Sequence, residues 1–108
     1  MNFIEIIAYR TTQGKIPYQD WLQSLRDSQI KARIRTRVDR LRLGNFGDCK
    51  GVGEGISELR IHFGPGYRIY FAQDGQTLVV LLCGGDKSTQ SRDIEKAKFY
   101  WQDYKRRK

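Results

Sequence analysis

Residues 58–71 read ELRIHFGPGYRIYF, two alternating runs on either side of a GPG turn at 64–66. Leu59, Ile61 and Phe63 alternate with Glu58, Arg60 and His62. Beyond the turn, Ile69 and Phe71 alternate with Arg68 and Tyr70. Successive residues of a strand point to opposite sheet faces, so the pattern predicts an antiparallel hairpin over 57–63 and 67–73. One face joins the core, and the other carries Glu58, Arg60, His62, Arg68 and Tyr70.

The neighbouring segments extend this sheet. Asp74 and Gly75 turn the chain into TLVVLL (77–82), whose lack of alternation suits a central strand covered on both faces. On the other side, GNFGDCKGVGEG (44–55) is rich in glycine and reads as a loop without regular structure. NFIEIIAY predicts an opening strand over 2–9. Pro17 starts a helix over 17–26, with Tyr18, Trp21, Leu22 and Leu25 on one side.

Asp27 or Ser28 caps a second helix over 29–43, where Ile30, Ile34, Val38 and Leu41 form the apolar stripe. Lys31, Arg33, Arg35, Arg37, Arg40 and Arg42 crowd the rest of its surface. Ser88 or Thr89 caps a last helix with Ile94, Ala97, Trp101 and Tyr104 inward, and YKRRK ends the chain. The order is β-α-α-β-β-β-α, an α+β fold with a mainly antiparallel sheet, in one domain over residues 1–108.

Composition narrows the function. The 108 residues carry a formal net charge of +8, from 20 Lys and Arg against 12 Asp and Glu. Such a surplus points to a polyanionic partner, nucleic acid above all. Two cysteines, Cys49 and Cys83, and one histidine do not make a four-ligand zinc site, so neither metal nor cofactor is expected. The apolar run Leu78 to Cys83 is too short to span a bilayer and MNFIEIIAYR lacks signal-peptide features, so a cytoplasmic location without membrane contact is expected.

LLCGGDKSTQSRD (81–93) has the parts of a phosphate loop without its spacing. A Walker loop needs glycine, four residues, then glycine, lysine and Ser or Thr. Here Asp86 separates Gly85 from Lys87, and the first glycine position falls inside the strand. The glycines are expected to give a tight exit from the strand. The helix start at Ser88 and Thr89 favours an anion.

Lys87 is instead delivered to one end of the hairpin's charged face, beside Arg60, His62 and Arg68. This set suits metal-independent phosphodiester chemistry: arginines stabilise charge on a pentacoordinate phosphate, and lysine or histidine moves protons. Arg60, Arg68, Lys87 and His62 are the candidate catalytic residues. Lys31, Arg35, Arg42, Lys50, Tyr70 and Ser88 are candidate RNA contacts.

Over nearly the whole chain, the element order together with ELRIHFGPGYRIYF and LLCGGDKSTQSRDIEKA (81–97) resembles the RelE/ParE superfamily of type II toxins, in its HigB-like "addiction module killer" branch. The resemblance implies a microbial RNase-like fold and a toxin neutralised by a cognate antitoxin, in this branch often a helix-turn-helix DNA-binding protein. It implies cleavage of mRNA in the A site of the 70S ribosome by the 2′-hydroxyl, without metal. Arg68 matches the hairpin arginine on the scissile phosphate, while Arg60 and Lys87 fall at basic positions. RelE-like enzymes carry a lysine near the position of Glu58 and a tyrosine where Asp93 falls. The alternatives are a ParE-like inhibitor of DNA gyrase and a non-catalytic RNA-binding module.

Overall fold

The structure, a computed structural model, describes residues 3–108. Five strands form one sheet: β1 (Glu5–Ala8), β2 (Cys49–Gly53), β3 (Ile56–Ile61), β4 (Tyr67–Gln73) and β5 (Leu78–Asp86). Their spatial order is β1-β5-β4-β3-β2, with β1 parallel to β5 and the other pairs antiparallel. The helices are α1 (Pro17–Ser24), α2 (Ser28–Arg42) and α3 (Gln90–Arg106), with a short 3₁₀ turn at Lys87–Thr89 before α3. The expected α+β class holds; the first strand is shorter than expected, and residue 2 of that span lies outside the described residues.

Alternation sorts the core into two layers. Leu59, Ile61, Ile69, Phe71, Val79 and Leu81 face α1 and α2, packing on Leu22, Ile34, Val38 and Leu41. Ile56, Tyr70, Ala72, Val80 and Leu82 face α3 and pack on Ala97 and Trp101. The TLVVLL strand thus lies between β1 and β4, covered on both sides as its composition requires. Asp27 caps α2, its carboxylate accepting from the Gln29 amide at 2.8 Å. α1 stops short of residue 26 because Leu25 is extended, at φ −76° and ψ 130°.

Three expectations change. Residues 49–53 form a strand rather than a loop, with Cys49 opposite Leu59 and Lys50 opposite Glu58. Glycine removes the side-chain alternation that marks a strand but leaves its backbone donors and acceptors free to pair with β3. Glu54 (φ 56°) and Gly55 (φ 85°) turn the chain between β2 and β3, positive φ at both positions being the hairpin geometry that matches strand twist.

Gly84 and Gly85 do not exit the strand; they stay in it, with Gly85 opposite Arg68. A Cβ on Gly84 would lie 2.2 Å from Trp21 Cε3, and one on Gly85 would lie 1.8 Å from Asp93 Oδ2. The glycines admit α1 and α3 to close approach.

The hairpin's charged face is not open to solvent as expected. α3 crosses it, so Tyr70 and Glu58 are both fully buried. Tyr70 therefore has no ring surface to offer an RNA base. Its hydroxyl donates to Glu58 Oε2 at 3.4 Å instead, and burial, then the Glu58 charge, raises the phenol's pKa.

Candidate active site

Arg60 on β3 and Arg68 on β4 are direct cross-strand partners. Like charges in such a pair repel. The compensating charge is Glu58, whose Oε1 lies 3.8 Å from Arg60 Nε and whose Oε2 lies 3.5 Å from Arg68 Nε. Glu58 Oε2 also accepts from Gln90 Nε2 at 2.7 Å. At those longer ion-pair distances, Glu58 Oε1 and both Nε atoms are buried without a hydrogen-bond partner. The Arg60 side chain is 32% exposed and that of Arg68 12%, so part of each still meets solvent.

Lys87 joins this pair at the turn. Arg68 Nη1 donates to the Gly66 carbonyl at 2.8 Å, and a Cβ on Gly66 would stand 3.8 Å from Lys87 Cβ. Exposed Lys87 and the Arg68 guanidinium thus flank the same turn. Lys50, exposed on β2 opposite Glu58, shares their sheet face.

His62 lies just past the end of β3, exposed, and pairs with Asp48. The other Asp48 oxygen is 3.7 Å from Arg60 Nε, so one carboxylate links the histidine to the arginine pair. The hydrogen bond from His62 holds the Asp48 carboxyl below its ordinary pKa.

The helix start is already occupied by an anion from the chain itself. Asp86 Oδ1 accepts from the Ser88 amide at 2.8 Å and from its hydroxyl at 2.5 Å. Those bonds lower the Asp86 pKa. Thr89 donates to buried Asp93 at 2.5 Å. Thr89 takes the N-cap place of α3 but Asp86 does the capping, of the 3₁₀ turn. Both Ser88 donors face Asp86 rather than a ligand.

Lys31, Arg35 and Arg42 are not part of this cluster. They ride on α2, which packs on the opposite sheet face from Glu58 and α3. Arg35 and Arg42 are exposed, and Arg42 pairs with Asp39 at 2.5 Å. Arg37 is spent on the Arg60 and Phe46 carbonyls, at 2.7 and 3.2 Å. Arg33, Arg37 and Arg40 nevertheless line one groove with His62, so the basic surface of α2 continues to the edge of the cluster.

Sequence reasoning missed Gln90 and Asp48 and the burial of Glu58. Alternation assigns Glu58 to a face, but only the path of α3 decides whether that face is covered. Among the described residues, no group of His, Cys, Asp and Glu is arranged to hold a metal ion. Cys83 is a buried thiol whose pKa is raised to about 12 by burial, so it is unsuited to nucleophilic work. No helix is long and apolar enough to cross a membrane, among the described residues.

Residues 20–104 match the model of a family described as "Phage derived protein Gp49-like (DUF891)". The chain belongs to that family. The Gp49-like match begins within α1 and ends within α3, so it takes in Arg60, Arg68, Lys87 and Gln90. A Haemophilus influenzae protein, described as an uncharacterized protein, is 50% identical over 97 residues, 90% of this Gp49-like chain and 95% of the relative.

Proposed function

We propose that this protein is the toxin of a type II toxin–antitoxin module, a HigB-like endoribonuclease that cuts mRNA on the ribosome. The observation that carries the reading is the paired guanidiniums of Arg60 and Arg68, with Lys87 at the adjoining turn. Two cross-strand arginines suit the two non-bridging oxygens of one phosphate. Membership of the Gp49-like family and the RelE-like order of elements support it.

In this reading the RNA 2′-hydroxyl attacks its own 3′-phosphate. The O2′–P bond forms and the P–O5′ bond breaks, leaving a 2′,3′-cyclic phosphate and a 5′-hydroxyl. Arg60 and Arg68 stabilise the added charge on the pentacoordinate phosphorus, and Lys87 neutralises the leaving side. His62, held by Asp48, takes the 2′-hydroxyl proton, and solvent returns one to O5′. The exposed Arg35 and Arg42 of α2 meet ribosomal RNA through phosphate contacts while the Arg60–Arg68 cluster works on the message.

Induced expression in growing cells tests the reading, with new mRNA 5′ ends mapped in translation reactions with and without ribosomes. Growth arrest with new ends only on ribosomes is expected, abolished in Arg68→Ala and relieved by a co-expressed antitoxin. Arrest without new ends, accompanied by loss of DNA supercoiling, would replace the nuclease with gyrase inhibition.

A further inference from the structure

Gln90 is the first residue of α3 and makes the shortest hydrogen bond on the Glu58 carboxylate, at 2.7 Å; the Tyr70 contact is 3.4 Å. Without a firm donor, a buried carboxylate flanked by two guanidiniums gains most by turning to one of them and forming a bidentate pair. That arginine would then be neutralised and the pair broken. Instead Glu58 stands between the two, 3.8 Å from Arg60 Nε and 3.5 Å from Arg68 Nε, with its Oε1 unbonded. The bond from Gln90 opposes the turn.

We propose that Gln90 is a positioning residue that acts through Glu58 to keep Arg60 and Arg68 as a matched clamp for a single phosphate. The inference rests on the reading that this cluster binds RNA phosphate, and it adds a residue from outside the sheet. The start of α3, held by the Thr89–Asp93 contact and preceded by a 3₁₀ turn that Asp86 caps, thereby sets the geometry of two arginines on β3 and β4.

Side-chain Nε–H signals of Arg60 and Arg68, recorded by nuclear magnetic resonance during a pyrophosphate titration, test this without any cleavage. In the parent, both signals should move together with a single dissociation constant. Gln90→Met keeps the length and loses the donor, and Gln90→Ala, a good helix former, serves as a second variant. Both should bind pyrophosphate about tenfold more weakly, the fold-change for one charge-assisted hydrogen bond. The two signals should then respond unequally, which a merely structural loss would not produce.

Parent-like affinity and matched signals in either folded variant would overturn the role of Gln90. A parent whose two signals ignore pyrophosphate would overturn it too, by removing the clamp. A parent that binds pyrophosphate but leaves mRNA intact would sink the nuclease and leave Gln90 assigned.

Discussion

Arg60 and Arg68 face each other across β3 and β4, and both lie within ion-pair reach of Glu58, one same-face position along the ladder. The two cations are kept together by a buried anion that cannot itself reach solvent. An anion arriving from outside meets a net positive charge already assembled, so little reorganisation is needed when charge builds on phosphorus.

Removing one guanidinium should therefore abolish most of the activity. Arg68→Ala is expected to lower the cleavage rate by roughly 10²- to 10³-fold, the range for losing one preorganised donor to transition-state charge. Lys87→Ala should cost less, because Lys87 is exposed and screened by water. Single-turnover mapping of 5′ ends on ribosome-bound mRNA measures both, and equal toxicity in parent and Arg68→Ala would rule out this assignment.

Glu58 makes a separate prediction about stability. Glu58→Ala leaves two guanidiniums facing each other over a buried hole, and losing one member of a buried ionic set costs about 3 kcal/mol. The urea midpoint should fall with an unchanged slope. Glu58→Gln keeps the shape and the Tyr70 contact, so it should lose less.

Much of this arrangement could be read from the residues alone. Alternation in 58–71 gave the hairpin and put Arg60 and Arg68 on one face; the steric rule behind it is local, so it survives into the structure. The β2 strand was hidden because Gly51 and Gly53 carry no side chain to alternate. Burial of Glu58 and Tyr70 was hidden for a different reason: it depends on where α3 crosses, a tertiary fact with no local signature. Gln90 was invisible for the same cause, being 32 residues from the carboxylate it holds.

The two glycines of β5 are predicted to tolerate no side chain. Gly85→Ala drives a methyl into Asp93 Oδ2 and within 2.8 Å of Thr89 Oγ1, at the start of α3. Overpacking of this kind costs about 1–3 kcal/mol. Gly84→Ala pushes on Trp21 instead. Denaturant unfolding should show both losses, and the Gly84→Ala variant should also change the tryptophan emission of the folded state.

The far end of α3 is fastened by two tyrosine–carboxylate bonds, Tyr9 to Asp103 at 2.6 Å and Tyr104 to Asp74 at 2.7 Å. Burial, then the Asp103 hydrogen bond, raises the Tyr9 pKa from 10.0 to about 12, and burial with the Asp74 bond does the same for Tyr104. A raised tyrosine pKa contributes stability that is whole below pH 10 and is lost as pH rises through about 12. Asp103, lowered first by its Tyr9 bond, and Asp74, lowered first by Lys108 and then by Tyr104, work in the opposite sense. Their contribution is whole above the ordinary carboxyl value of 3.8 and is lost as pH falls through the lower folded value. The contacts of α3 with Tyr9, just past β1, and with the β4–β5 turn should therefore loosen at both extremes of pH. Tyr9→Phe keeps the ring buried but removes the shared proton, so it should flatten the alkaline limb and weaken the acid one. Denaturation midpoints from pH 2 to pH 12 check this, and an unchanged profile in Tyr9→Phe would show that the bond to Asp103 contributes nothing.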